Sequence, residues 1–156
     1  MYRAIAIVGA SLAAVGCGGG SSTGGLDAEQ TYSFSLTSAA EVPTPKPTSA
    51  SGTAQVIVYP DRVDYQIIVS SMTGITMAHI HSGAAGVPGP IVVTLFQTST
   101  PTAAMNGILT NGSITATNVP TGVTLESLKT LLLSGNSYVN VHTTANPAGE
   151  IRGQVR

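Results

Sequence analysis

Charge is scarce in this chain. Asp, Glu, Lys and Arg together make up 8% of 156 residues, and the net charge is −1. Soluble domains usually carry about three times that density, so no basic or acidic surface is available to serve as an electrostatic footprint for nucleic acid. Cysteine occurs once, at Cys17. That excludes an internal disulfide framework. Nucleophile signatures are weak too: Gly-x-Ser-x-Gly spacing occurs only inside the low-complexity Gly/Ser stretch, at Gly20-Ser21-Ser22-Thr23-Gly24, not between a strand run and a helix run as an elbow requires, and Asp61 and Asp64 lie too close in sequence for a convincing catalytic pair. Helix-favouring Lys, Glu and Leu are few, whereas Gly, Pro, Ser and Thr abound, which predicts turns and strands. The length suits one domain with a real core rather than two.

The N-terminus carries the longest apolar stretch. Met1-Tyr2-Arg3 is a minimal positive region, and residues 4–15 are apolar or small. The run is too short to span a bilayer and reads as a secretory signal. It ends Ala13-Ala14-Val15-Gly16-Cys17, which resembles a bacterial lipobox with Ala14 where Leu is commonest. An exported chain has little use for one free thiol, so Cys17 is the candidate lipidation site, several acyl chains giving a stable anchor. The alternative is an ordinary signal peptide that happens to contain cysteine. The expected organisation is a signal peptide over 1–16, a Gly/Ser-rich tether over 17–30 and a domain over 31–156. The corresponding location is the bacterial cell envelope, with the chain lipid-anchored to a membrane: the outer membrane or cell surface in a Gram-negative cell.

Within the domain, Thr31-Tyr32-Ser33-Phe34-Ser35-Leu36 alternates as a first strand does. Residues 41–47 contain three prolines, which predicts a crossing loop rather than a central strand. Residues 52–59 and 62–69 form two strands about Pro60-Asp61, and further strands are expected at 78–81, 91–96, 138–143 and 150–156. Asn111-Gly112 between two short apolar runs is a type I′ hairpin signal. One helix is expected over 125–133, with Thr124 as N-cap, Glu126 early, leucines at helical spacing and a stop near Gly135. Many short strands at eight- to twelve-residue spacing predict an all-β antiparallel sandwich or barrel, with one short helix.

All three histidines fall in two similar segments, Ala78-His79-Ile80-His81-Ser82-Gly83 and Tyr138-Val139-Asn140-Val141-His142-Thr143. Alternation puts His79 and His81 on one strand face, and Asn140 and His142 on one face. Ile80, Val139 and Val141 then enter the core, and the imidazoles point outward into a shallow site roofed by residues 83–90 and 144–147. Three neutral imidazoles with an open fourth position suit copper or zinc. Ring nitrogens within about 3 to 4.5 Å of one another would favour one ion, and a separation beyond about 10 Å would exclude it. The competing reading is that the histidines hydrogen-bond nearby backbone and fix the turns. Asn140 and Glu150 are candidate supporting residues, and Glu150 shares a face with Arg152 as ion pair or supporting partner. Glu41 beside the proline loop is either an acceptor of turn amides or a ligand. Met72 and Met77 are core fillers rather than soft copper ligands. The Gly-rich segment 83–89 precedes no helix and is not a phosphate cradle.

Several of these motifs together resemble the CHRD domain, the module named from chordin and common in bacterial exported proteins. They are Glu41-Val42-Pro43 followed by Gly52-Thr53-Ala54, the Ala78 to Gly83 motif with Gly86, Gly89-Pro90 and Val92, and a closing set of Leu128 to Leu133, Gly135, the Tyr138 to Thr143 motif and Pro147-Ala148-Gly149-Glu150-Ile151-Arg152-Gly153-Gln154. The resemblance covers about residues 31–156 and implies a β-sandwich-like domain, of the Ig-like or Greek-key type. It brings no settled activity, and chordin's association with growth-factor-binding domains does not carry over to a bacterial lipoprotein. Two functions are therefore expected: a non-enzymatic, envelope-tethered binding module with an unspecified envelope or extracellular ligand, or a mononuclear copper or zinc protein using His79, His81 and His142. The dinuclear chemistry of Cu,Zn superoxide dismutase, a sandwich with His-x-His, needs more histidines than three.

Overall fold

The computed structural model describes residues 30–156. The signal segment, Cys17 and the tether as far as residue 29 lie outside the described residues, and Gln30 belongs to the first strand. The described chain runs β1 (Gln30–Thr37), a 3-10 turn (Ser38–Ala40), β2 (Ser51–Val58), β3 (Arg62–Met72), β4 (Ile75–Ser82), β5 (Ile91–Gln97), β6 (Met105–Thr115), α1 (Leu125–Leu133), β7 (Ser137–Thr143) and β8 (Ile151–Gln154). Among the described residues no helix is long and apolar enough to cross a membrane.

All eight strands belong to one antiparallel sheet in the order β5-β4-β7-β8-β1-β2-β3-β6. Its two four-stranded halves meet at a single paired position, Thr37 opposite Arg152. The outer edges, β5 and β6, approach each other on the far side: the Thr110 and Tyr65 hydroxyls both donate to the Leu95 carbonyl, at 3.2 and 3.3 Å. The sheet is thus nearly closed into a barrel-like form, with the two layers of the expected sandwich joined into one curled surface. Alternation along a strand reports only which face is buried, and both arrangements bury the same one.

The enclosed core takes Leu36, Val56, Val58, Val63, Ile67, Met72, Ile75, Ile80, Val139, Val141 and Ile151, all at most 1% exposed. The helix closes it with Leu128 and Leu132, both fully buried. It begins where expected: Thr124 accepts from the Ser127 amide, and the Ser127 hydroxyl accepts from the Thr124 amide, a reciprocal capping box. Residues 41–50 form the predicted loop, and the β2–β3 hairpin turns at Pro60-Asp61.

The expected hairpin at Asn111-Gly112 is not formed. Both residues sit inside the continuous strand β6, opposite Gln66 and Tyr65 of β3. The eleven-residue β3 offers a long template, and pairing along all of it outweighs a local turn preference. Gly112 serves close packing instead: a Cβ there would lie 2.8 Å from the Tyr65 Oη and 3.1 Å from its Cζ.

One part of the sheet departs from one-sided burial. Every residue of β7 is buried, as are positions 78–81 of β4 and 151–153 of β8. The inner face of these strands packs on the core. Their outer face is covered by three returning loops, 41–50, 83–90 and 144–150, and under that cover lie the polar residues described next.

Candidate metal centre

The topology brings the two histidine segments together. β4 and β7 are antiparallel neighbours, with His79 opposite Asn140, His81 opposite Tyr138 and Met77 opposite His142. β8 extends the rows, placing Arg152 beside Asn140 and Gln154 beside Tyr138. Ile80, Val139 and Val141 point into the core, each fully buried. The opposite face carries the imidazoles. One ligand atom from each of His79, His81 and His142 lies within 4.8 Å of the other two, and His79 Nδ1 is 3.0 Å from His142 Nε2. A tetrahedral ion with bonds of roughly 2.0–2.1 Å sets its nitrogens about 3.3 Å apart. A single ion would require the widest pair to close by somewhat more than an ångström.

The rings do not open outward into a shallow site. Their exposures are 3%, 7% and 7%, because the loops that were expected to roof the site seal it. Two backbone carbonyls of those loops fix the rings. His81 Nδ1–H donates to the Gly89 carbonyl at 2.8 Å, and His142 Nδ1–H donates to the Pro147 carbonyl at 2.9 Å. A carbonyl only accepts, so both rings carry their proton on Nδ1 and present a bare Nε2 lone pair to the interior. The Nε2 of His81 is buried without a hydrogen-bond partner. Backbone bonding and convergence of lone pairs, set against each other as alternatives in the sequence, are thus two ends of the same rings.

Burial keeps the rings neutral. Desolvation is the main cause at all three; it lowers His79 to about 4, with further lowering from His142 and His81. His81 and His142 are also lowered by desolvation, partly opposed by their backbone carbonyls and, for His81, by Asn140. Neutral imidazole is the metal-binding form.

Around the histidines sits a layer of buried polar side chains. Asn140, 2% exposed, places Oδ1 3.0 Å from His142 Nε2. The Glu41 carboxyl is buried beside it. Desolvation raises its pKa, against the Val42 amide, Arg152 and Asn140, which all favour the charged form. Gly149, at φ +132°, leaves room for this carboxyl; a Cβ there would collide with it. Arg152, 1% exposed, donates through Nη2 to the Ala84 and Val87 carbonyls and lies 3.4 Å above the Tyr138 ring. Tyr138 in turn stacks on His81, centroids 4.7 Å apart and planes 7° from parallel. Guanidinium, phenol and imidazole form three layers that hold His81 from its flat side.

Glu150 does not pair with Arg152. Its carboxylate accepts from the Thr48 and Thr143 hydroxyls, and Thr143 also accepts from the Asn146 amide. Glu150 thus pins the loop whose Pro147 carbonyl orients His142. Met72 fills the core, whereas Met77 lies outside it, half-buried on the histidine side. The stack of Tyr138 on His81 went unread in the sequence; the signal for it is register, since Tyr138-x-Asn140-x-His142 shares one face.

A barrel-like antiparallel domain with a buried histidine cluster at two related strand motifs defines the class. The family model of the CHRD domain matches residues 32–155, and the chain belongs to the CHRD-domain family. No curated protein matches the chain, and no solved structure does.

Proposed function

We propose that this protein is a non-enzymatic binding module whose ligand is a single zinc or copper ion, held by His79, His81 and His142. The observation that carries the reading is the pair of Nδ1–H···O=C bonds to Gly89 and Pro147. They cost each ring its outward donor and leave two Nε2 lone pairs buried together, one of them unpartnered. An unpaired buried polar atom is expensive, and a cation among these atoms removes that cost. The rest of the reading concerns place. Cys17 carries the lipid anchor and opens the tether that runs to the first strand at Gln30, and the domain works at a membrane surface of the bacterial envelope, in storage or delivery of the ion.

The test is titration of chelator-treated protein, made without a histidine tag, with zinc and with copper. The expected result is one ion per chain for the wild type and loss of that equivalent in His81→Ala. Equal stoichiometry in the two proteins removes the histidines as ligands.

A further inference from the structure

We propose that Asn140 is the fourth ligand, through Oδ1, and that it closes the centre as a four-coordinate site suited to zinc. The inference rests on the metal reading above and goes beyond it, since the fourth position would otherwise belong to water.

His142 Nε2 is an acceptor, because its ring proton is committed to Pro147. Asn140 Oδ1 lies 3.0 Å away and is also an acceptor. Two lone pairs face each other with no hydrogen between them. Turning the amide over would put NH2 toward His142 and remove the conflict. The structure sets the amide the other way, with Oδ1 rather than the NH2 against His142 Nε2. The oxygen is left toward the histidines. The same side chain also lies near His81, whose Nε2 has no partner. His81 Nε2, His142 Nε2 and Asn140 Oδ1 therefore form a cluster of acceptors at 2–7% exposure with no donor of their own except His79, whose Nδ1 is 3.0 Å from His142 Nε2. A divalent ion satisfies all of them at once. His79 joins by moving its proton from Nδ1 to Nε2, an isomer of the same neutral ring.

The ligand set sorts the metals. Three imidazoles and one amide oxygen contain no sulfur, which disfavours the soft cuprous ion. Residues from two strands held by two loops and a stacked tyrosine resist flattening into the tetragonal geometry cupric ions prefer. Zinc has no geometric preference of its own and takes tetrahedral sites with four protein ligands. Glu41, buried with its Oε2 unpartnered, then balances part of the ion's charge. The charge of Arg152, which also favours the carboxylate form of Glu41, offsets part of that balance.

Cobalt(II) replaces zinc and reports coordination number through the intensity of its visible bands. The experiment loads the intact chain with cobalt and adds azide. The wild type should show the intense bands of a four-coordinate ion, and azide should leave them unchanged. Asn140→Ala should open the site, so that azide now shifts the spectrum, and zinc affinity should fall about tenfold or more. Asn140→Asp keeps an oxygen ligand and should keep the intense, azide-insensitive spectrum; it also guards against an alanine variant that fails to fold. Glu41→Gln should lower zinc affinity by about 10- to 100-fold, through loss of a buried negative charge beside the ligands. A wild-type spectrum that responds to azide overturns the inference, as does an Asn140→Ala protein with unchanged zinc affinity and spectrum. A wild type that takes up neither cobalt nor zinc overturns the metal reading itself, and this inference with it.

Discussion

Acid should destabilise the metal-free domain through its histidines, and the structure gives the size. His79 has a folded pKa of about 4 against 6.5 for an ordinary histidine, chiefly through desolvation. Between those values the unfolded chain binds a proton that the folded chain refuses, so stability falls as pH drops through 6.5 and levels off below about 4. A shift of that size corresponds to at most about 3 kcal/mol over the whole window, and about 2 kcal/mol of it is lost between pH 7 and 5. His81 and His142, also lowered, act in the same direction. Glu41 runs opposite. Its pKa is raised by burial, so the folded state holds its proton more tightly, and Glu41 loses stability as pH rises through the gap above 4.5. Urea unfolding followed by circular dichroism, with chelator present, reads the net effect at pH 7 and pH 5. The wild type should be less stable at pH 5, and His79→Asn should show a smaller loss over the same interval. Zinc at a hundred times its Kd should add about 2.7 kcal/mol at pH 7, an increment that disappears as protons compete for the rings. A wild type equally stable at the two pH values, or a His79→Asn protein with an undiminished loss, refutes the reasoning.

Two further outcomes are expected. Mass spectrometry of the mature protein should find Cys17 as the lipid-bearing first residue, with residues 1–16 removed; a water-soluble product cleaved elsewhere contradicts the anchor. Gly112→Ala should cost about 1 to 3 kcal/mol in the same urea assay, because the new methyl displaces the Tyr65 hydroxyl from the Leu95 carbonyl that ties β5 to β3, and an unchanged midpoint would mean that contact does not help close the sheet.

The elements that were legible in the sequence are those whose cause is local. Thr124, Glu126 and the leucines mark the helix because capping and a 3.6-residue period act within one segment. Val63, Ile67 and Val69 mark β3 because alternation acts along one strand. Asn111-Gly112 shows where local reasoning stops. The dipeptide satisfies a tight turn and equally satisfies a strand that must pass a tyrosine ring, and only the partner strand decides. Whether the strands fall into two sheets or one was undecidable for the same reason: it turns on the single pair Thr37–Arg152 and on two hydroxyls reaching Leu95.

The histidine site divides along the same line. Alternation placed the imidazoles on the face opposite Ile80, Val139 and Val141, and nothing but backbone pleat is needed for that. It could not supply the neighbour relation of β4 and β7, whose histidines are about 60 residues apart, nor the loops folding back over them. Those loops change the chemistry as well as the exposure. On an open face, each ring nitrogen would be served by water and the histidines would titrate near their ordinary value. Under the cover of Gly89 and Pro147 the protons are assigned to Nδ1, the rings are held neutral, and the Oδ1 of Asn140 faces His142 Nε2. A cluster of acceptors with one side open to solvent would be unremarkable. Covered by backbone and a stacked tyrosine, with Arg152 beyond that ring, its lone pairs have few donors, and the case for a bound cation arises from the enclosure rather than from the three histidines as a motif.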